Sequence, residues 1–121
     1  MSPRMLADIL VGVVALEHIW FLVLEMFLWT KPIGLRTFRQ TEERARASAP
    51  LAANQGLYNG FLAAGLAWGL LASPPAFAGS IKMFFLTCVV VAGAFGALTV
   101  SRRILVVQAV PAALALLLLF L

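Results

Sequence analysis

A chain of 121 residues that is 63% hydrophobic and 12% charged, with a mean hydropathy of +1.00, lies outside the mix of a water-soluble globular domain. Its composition is that of an integral membrane protein, with the lipid bilayer as first partner. The formal charge of +4 and the pI near 10.3 do not make it a nucleic-acid binder, because no basic patch is interleaved with aromatics and the cations flank apolar segments, as topology signals do.

The first apolar segment runs from about Met5 to about Trp29, roughly 25 residues, enough to cross a bilayer core with some tilt. It continues past Glu17 and Glu25 without a small-residue cleavage site, which reads as a retained helix rather than a cleaved signal. With about 100° per residue, Glu25 falls about 20° and Glu17 about 100° from His18, so the three define a polar arc, and Asp8 stands off it. His18 and Glu25 are two turns apart, roughly 10 Å along the axis, which leaves room between them for a ligand, a water or another helix's side chain.

Thr30 to Pro50 carries Lys31, Arg36, Arg39, Arg44 and Arg46 against Glu42 and Glu43. It is expected as a basic cytoplasmic loop, residues 30–50, entered through a helix-stopping Lys-Pro pair. Arg39 to Ala49 has the composition of a short surface helix, but a solvated charged connector is the simpler reading. Pro50 is then expected at the first position of a second spanning helix.

That second segment, residues 51–72, has two faces. Asn54, Gln55, Tyr58 and Asn59 fall within an arc of about 140°, and Gly56, Gly60, Ala63 and Ala67 take the opposite side. Polar side chains at the start of an apolar span are costly unless they serve a ligand or a partner helix. The small residues let another helix approach closely, within the chain or in a second copy. Gly65 and Gly69 continue the polar face and leave space above the amides.

After the Ser73-Pro74-Pro75 turn, a third segment covers about residues 80–100, with Ala92 and Gly96, and Gly93 and Ala97, as small packing surfaces and little chemistry. Cys88 lies within it; one cysteine excludes an intrachain disulfide and a cysteine metal cage, and reads as an inert small hydrophobe. Ser101-Arg102-Arg103 leads to the last segment, 104–121, with Gln108 as its one strongly polar residue and Pro111 as a kink point.

These segments give an all-α fold, a four-helix transmembrane bundle in a single domain, residues 1–121. Of nine cations, the first and third loops hold seven, and only Arg4 and Lys82 lie on the other side. Both termini are therefore expected away from the cytoplasm, in a multi-pass protein of the inner or plasma membrane if the source is bacterial. On that frame Glu25 lies roughly 6 Å from its cytoplasmic helix end, Asn54 to Asn59 roughly 5 to 12 Å, Gln108 roughly 6 Å and His18 roughly 17 Å. Polar residues from three segments thus share the cytoplasmic half of the bilayer.

The stretches Leu24-Glu-Met-Phe-Leu-Trp29 after Glu17-His18, Asn54-Gln-Gly-Leu-Tyr-Asn-Gly-Phe-Leu-Ala-Ala-Gly65, Val89-Val-Val-Ala-Gly93 and Val107-Gln-Ala-Val-Pro-Ala112 carry a resemblance. The chain resembles a family of small four-helix integral membrane proteins of unknown function, found in bacteria and fungi. The resemblance covers nearly the whole chain and implies the four-helix fold. It brings no activity, cofactor or catalytic residues.

Function is therefore read from the polar layer. One reading is an intramembrane enzyme acting on a small lipophilic molecule, by water addition as in epoxide opening or by isomerisation, with no cofactor. Glu17 and Glu25 would divide the acid and base roles, His18 would be a second base or an orienting group, and Asn54, Gln55, Tyr58, Asn59 and Gln108 would bind the substrate or a water. A second is a proton-coupled transporter working as a homo-oligomer through the Gly56/Gly60 or Ala92/Gly96 surfaces. A third is a structural or accessory subunit whose amides join helices. Each residue also has a plain role: Glu25 snorkelling to the headgroups, Tyr58, Trp20, Trp29 and Trp68 in packing or an interfacial belt. No metal is assigned, although Glu17, His18 and Glu25 are of ligating types.

Overall fold

The computed structural model describes the backbone of residues 1–121 and every side chain except that of Leu105. All regular structure in it is helical: α1, Pro3–Met26; α2, Pro32–Phe38; α3, Glu42–Leu71; α4, Pro75–Thr99; and α5, Arg102–Leu119. A chain whose apolar runs lack water to bond must satisfy its N–H and C=O groups within each segment, and a helix does so. Three of the five, α1, α4 and α5, are long and apolar enough to cross a membrane. α3 has the length, about 45 Å for its 30 residues, but its amides and charged first turns make it less apolar. Four spanning segments are expected from the sequence; length and composition together support three.

Helix starts follow local chemistry. The Ser2 hydroxyl accepts from the Met5 N–H at 3.2 Å and caps α1, and Pro75 opens α4 at the position where a missing N–H costs nothing. Ser101 accepts from the Arg103 N–H at 3.2 Å and caps α5. Within α5 a wide π turn, Leu105–Ala109, precedes Pro111. Pro111 cannot donate to the carbonyl four residues back, and a wide turn is how helices absorb such a break.

Residues 30–50 are not an irregular connector. α2 ends with Arg39 in the left-handed region, φ 51° and ψ 50°. Around it the Gln40 N–H bonds the Leu35 carbonyl at 3.1 Å and the Arg39 N–H bonds the Arg36 carbonyl at 3.3 Å, a Schellman closure. Thr41 then caps α3 by accepting from the Arg44 N–H at 3.2 Å, and Glu42 and Glu43 lie at the helix end that favours negative charge. So α3 starts at Glu42, not at Pro50. Pro50 lies inside it, exposed, and forfeits one helical bond to Arg46.

The chain divides into two compact units, Met1–Glu17 with Leu62–Leu121, and His18–Phe61. The first has an apolar core of Val11, Val14, Ala15, Leu66, Leu86, Val89, Ala112 and Ala115. Gly65 and Gly93 are contact points: the Phe85 ring lies on Gly65, and a Cβ at Gly93 would stand 2.7 Å from that of Ala109. At its surface Lys82 Nζ donates to Asp8 at 2.7 Å.

The second unit holds the end of α1, α2 and the first two-thirds of α3. Gly56 and Gly60 lie against α1: a Cβ on Gly56 would be 2.7 Å from Met26 Cγ and 3.1 Å from Glu25 Cβ, and one on Gly60 2.7 Å from Leu22 Cδ1. Buried Gly34 presses α2 on the carbonyls of Leu28 and Trp29 so closely that a methyl there has no room. Because the obstacle is backbone, Gly34→Ala is expected to cost about 3 kcal/mol, the upper end of overpacking penalties, read as a lowered Tm in detergent; an unchanged Tm would contradict this packing.

Candidate functional site

The residues the sequence marks divide between the units. Glu17 and Gln108 belong to the first, and His18, Glu25, Asn54, Gln55, Tyr58 and Asn59 to the second. In the first, one Glu17 carboxyl oxygen is buried without a hydrogen-bond partner, and Gln108 is half-buried in the π turn of α5.

In the second unit the structure joins two of the marked residues. Asn59 Nδ2 donates to Glu25 Oε1 at 2.5 Å. Asn59 is 5% exposed and lies on α3 between Gly56 and Gly60, the two residues that bring α3 against α1. A short amide side chain meets a carboxylate there because the backbones are close. The bond fixes which carboxyl oxygen is occupied. His18 is fully buried, and its ring meets that of Phe21 edge-on at 5.2 Å.

The other marked residues of α3 turn outward. Asn54, Gln55 and Tyr58 are exposed, on the arc opposite Gly56 and Gly60. The division of α3 into a polar and a small face therefore holds in this unit, with Gly56 and Gly60 inside; further along, Ala67 is exposed, while Gly65 and Gly69, expected to leave open space on the polar side, are buried against Phe85 and Lys82. Asn59, at the edge of the polar arc, is the one member that reaches the interior. The unit thus gathers a carboxyl and an amide at its buried face and leaves an amide–phenol group on its surface.

Two contacts of this unit lay outside the sequence reading. Trp29 Nε1 donates to Ser48 Oγ at 3.1 Å, and Ser48 in turn donates to the Arg44 carbonyl at 2.8 Å, tying the chain after α1 to the start of α3. Trp29 also lies against Phe38 of α2, ring centres 4.7 Å apart. The signal was Thr41-Glu42-Glu43, a helix start that would have put Ser48 on a helix. Gln40 Nε2, beside it, is buried without a partner.

Among the described residues no three His, Cys, Asp or Glu side chains gather in a metal-binding group. On α4 a shallow apolar depression of about 460 Å³ is lined by Phe84, Thr87, Cys88, Val91, Ala92 and Phe95.

An all-helical chain with three membrane-length helices and a carboxyl–amide pair on one buried face is a small helical protein suited to a membrane. The chain belongs to the family described as "Protein of unknown function (DUF1304)", whose pattern matches residues 12–120. It is 31% identical over 113 residues to "Uncharacterized protein YpaA" of Lactococcus lactis subsp. lactis (strain IL1403), across 92% of this chain and 93% of that protein. No solved structure matches it.

The Glu25–Asn59 bond makes a prediction about stability. Asn59→Leu leaves a half-buried carboxyl without its donor and is expected to cost about 1–3 kcal/mol, whereas Glu25→Leu/Asn59→Leu, which removes both partners, is expected to be less destabilised than Asn59→Leu alone. Unfolding of Asn59→Leu, Glu25→Leu and the double variant in detergent measures this, and simple additivity of the single costs would mean the bond carries no coupling.

Proposed function

We propose that the chain is a multi-pass membrane protein in which Glu25, oriented by Asn59, is the proton-exchanging group for a small lipophilic molecule that reaches it from the bilayer. The topology is four spans, α1, α3 from about Leu51, α4 and α5, with Lys31 to Arg46 and Arg102-Arg103 on the cytoplasmic side and both termini opposite; the cation count supports it.

The observation that carries the functional reading is the Asn59-to-Glu25 hydrogen bond. An ionisable side chain within an apolar helix is costly and marks a functional site by default. With Oε1 held by the amide, the second oxygen is the one to gain and lose a proton. Of the two reactions left open by the sequence, isomerisation suits this geometry better. One carboxylate takes a proton from carbon, a double bond shifts, and the carboxylic acid so formed returns the proton to another carbon of the same molecule. Epoxide opening needs a proton donor and a proton acceptor together and would draw buried His18 in beside Glu25, so it asks more of the unit than isomerisation, which one carboxyl can carry. Proton-coupled transport is the competing reading; it demands an oligomer, and the exposed Asn54, Gln55 and Tyr58 support that requirement.

Native mass spectrometry of gently extracted protein, wild type beside Glu25→Gln, tests the proposal. Glu25→Gln keeps an oxygen for Asn59 to bond and removes only the exchangeable proton. The expected result is a small lipophilic compound on the wild-type protein that is retained by Glu25→Gln but chemically unturned, its double-bond position unchanged after incubation in vesicles. Turnover by both proteins would remove Glu25 from the chemistry, and proton flux through wild-type vesicles without turnover would favour transport.

A further inference from the structure

We infer that α3 carries a self-association surface and that two copies of this chain pair in the bilayer through Leu51, Asn54, Tyr58 and Phe61. The inference rests on α3 crossing the bilayer and is independent of the chemistry at Glu25.

Three observations combine. These four residues follow one another at spacings of three, four and three, the stripe of a helix that pairs with another by left-handed coiling. All four are exposed, Leu51 at 76%, Tyr58 at 50% and Phe61 at 57%, with Asn54 exposed among them and exposed Gln55 at its flank. And the small face of α3 in this unit is already occupied: Gly56 and Gly60 lie against Leu22, Glu25 and Met26 of the same chain. The expected Gly56/Gly60 contact between copies is thus spent within one protomer, and association falls to the opposite arc.

A lipid-facing helix has no use for Asn54 and Gln55, since an amide in hydrocarbon lacks both donor and acceptor partners. The occupant that supplies them is a second copy of the same face. An amide carries both donors and an acceptor, so it is complementary to itself, and a two-fold axis along the membrane normal sets each Asn54 beside its counterpart with the two α3 helices parallel. A single asparagine in an apolar stripe also fixes register and restricts the number of helices that pair. Tyr58 and Phe61, ring centres 6.0 Å apart, provide the apolar area on either side.

The test is disulfide trapping of purified protein in vesicles of phosphatidylcholine and phosphatidylglycerol. In a Cys88→Ala background, Tyr58→Cys, Phe61→Cys and, as a control on α4, Val91→Cys are oxidised with copper–phenanthroline, and each is also offered a membrane-impermeant maleimide. The inference expects dimers at Tyr58→Cys and Phe61→Cys and few at Val91→Cys. A companion variant, Asn54→Ala/Gln55→Ala, should raise the dimer dissociation constant about tenfold in bicelles while its helix content stays that of wild type. Absent dimers with protected cysteines overturn the inference and leave the spanning of α3 intact. Ready maleimide labelling at both α3 positions overturns it by removing α3 from the bilayer, and equal trapping at Val91→Cys overturns it as random collision.

Discussion

The distance between two backbones governs what the second unit can do. Gly56 and Gly60 carry no side chain where α3 meets α1, and Leu22, Glu25 and Met26 fill the space a Cβ would take. Small residues permit this approach, and dispersion over the closely packed surfaces rewards it. Asn59 stands between the two glycines, so its short side chain spans the gap to Glu25. Longer residues at 56 or 60 would push the helices apart and strand both polar groups. Packing therefore precedes the site: the glycines make the contact, the contact makes the hydrogen bond, and the bond holds the carboxyl.

The units differ in what they bury. The first closes over Val, Leu and Ala side chains, which specify shape by volume alone. The second buries His18 and Asn59 with Leu24 and small residues such as Ala45 and Ala52. Buried polar groups that are satisfied contribute directional constraints that an apolar core lacks. A structural carboxyl would serve equally well as glutamine; a proton-exchanging one would not. That distinction gives Glu25 its interest.

Composition sufficed for the helical class and for three membrane-length segments, because long apolar runs admit few other solutions. The two-faced character of α3 was also readable from its 3.6-residue period. Which face turns inward was not, since periodicity gives relative angles and no absolute direction. Asn54, Gln55 and Tyr58 read as pocket lining and stand on the surface; Asn59, about 40° beyond Gln55 toward the glycines, reads as one of four and is the member that is buried. The start of α3 was missed because Pro50 is a common first helical residue, and Thr41 with Glu42 and Glu43 is an equally good signal eight residues earlier. The Trp29–Ser48 bond depends on that start and was invisible without it.

α3 runs unbroken from its Thr41 cap through Pro50 to Leu71, and this continuity has a mechanical meaning. Arg44 and Asn59 are about 22 Å apart along one rod, with Ser48, Trp29 and the Schellman turn bracing its charged end. A rod transmits tilt and rotation where a flexible linker would absorb them. Whatever pulls on the arginines of the first turns, an anion or a change in local charge, therefore moves the amide that holds Glu25, and a disturbance at the charged end of the helix becomes a change in angle at a part-buried hydrogen bond farther along it.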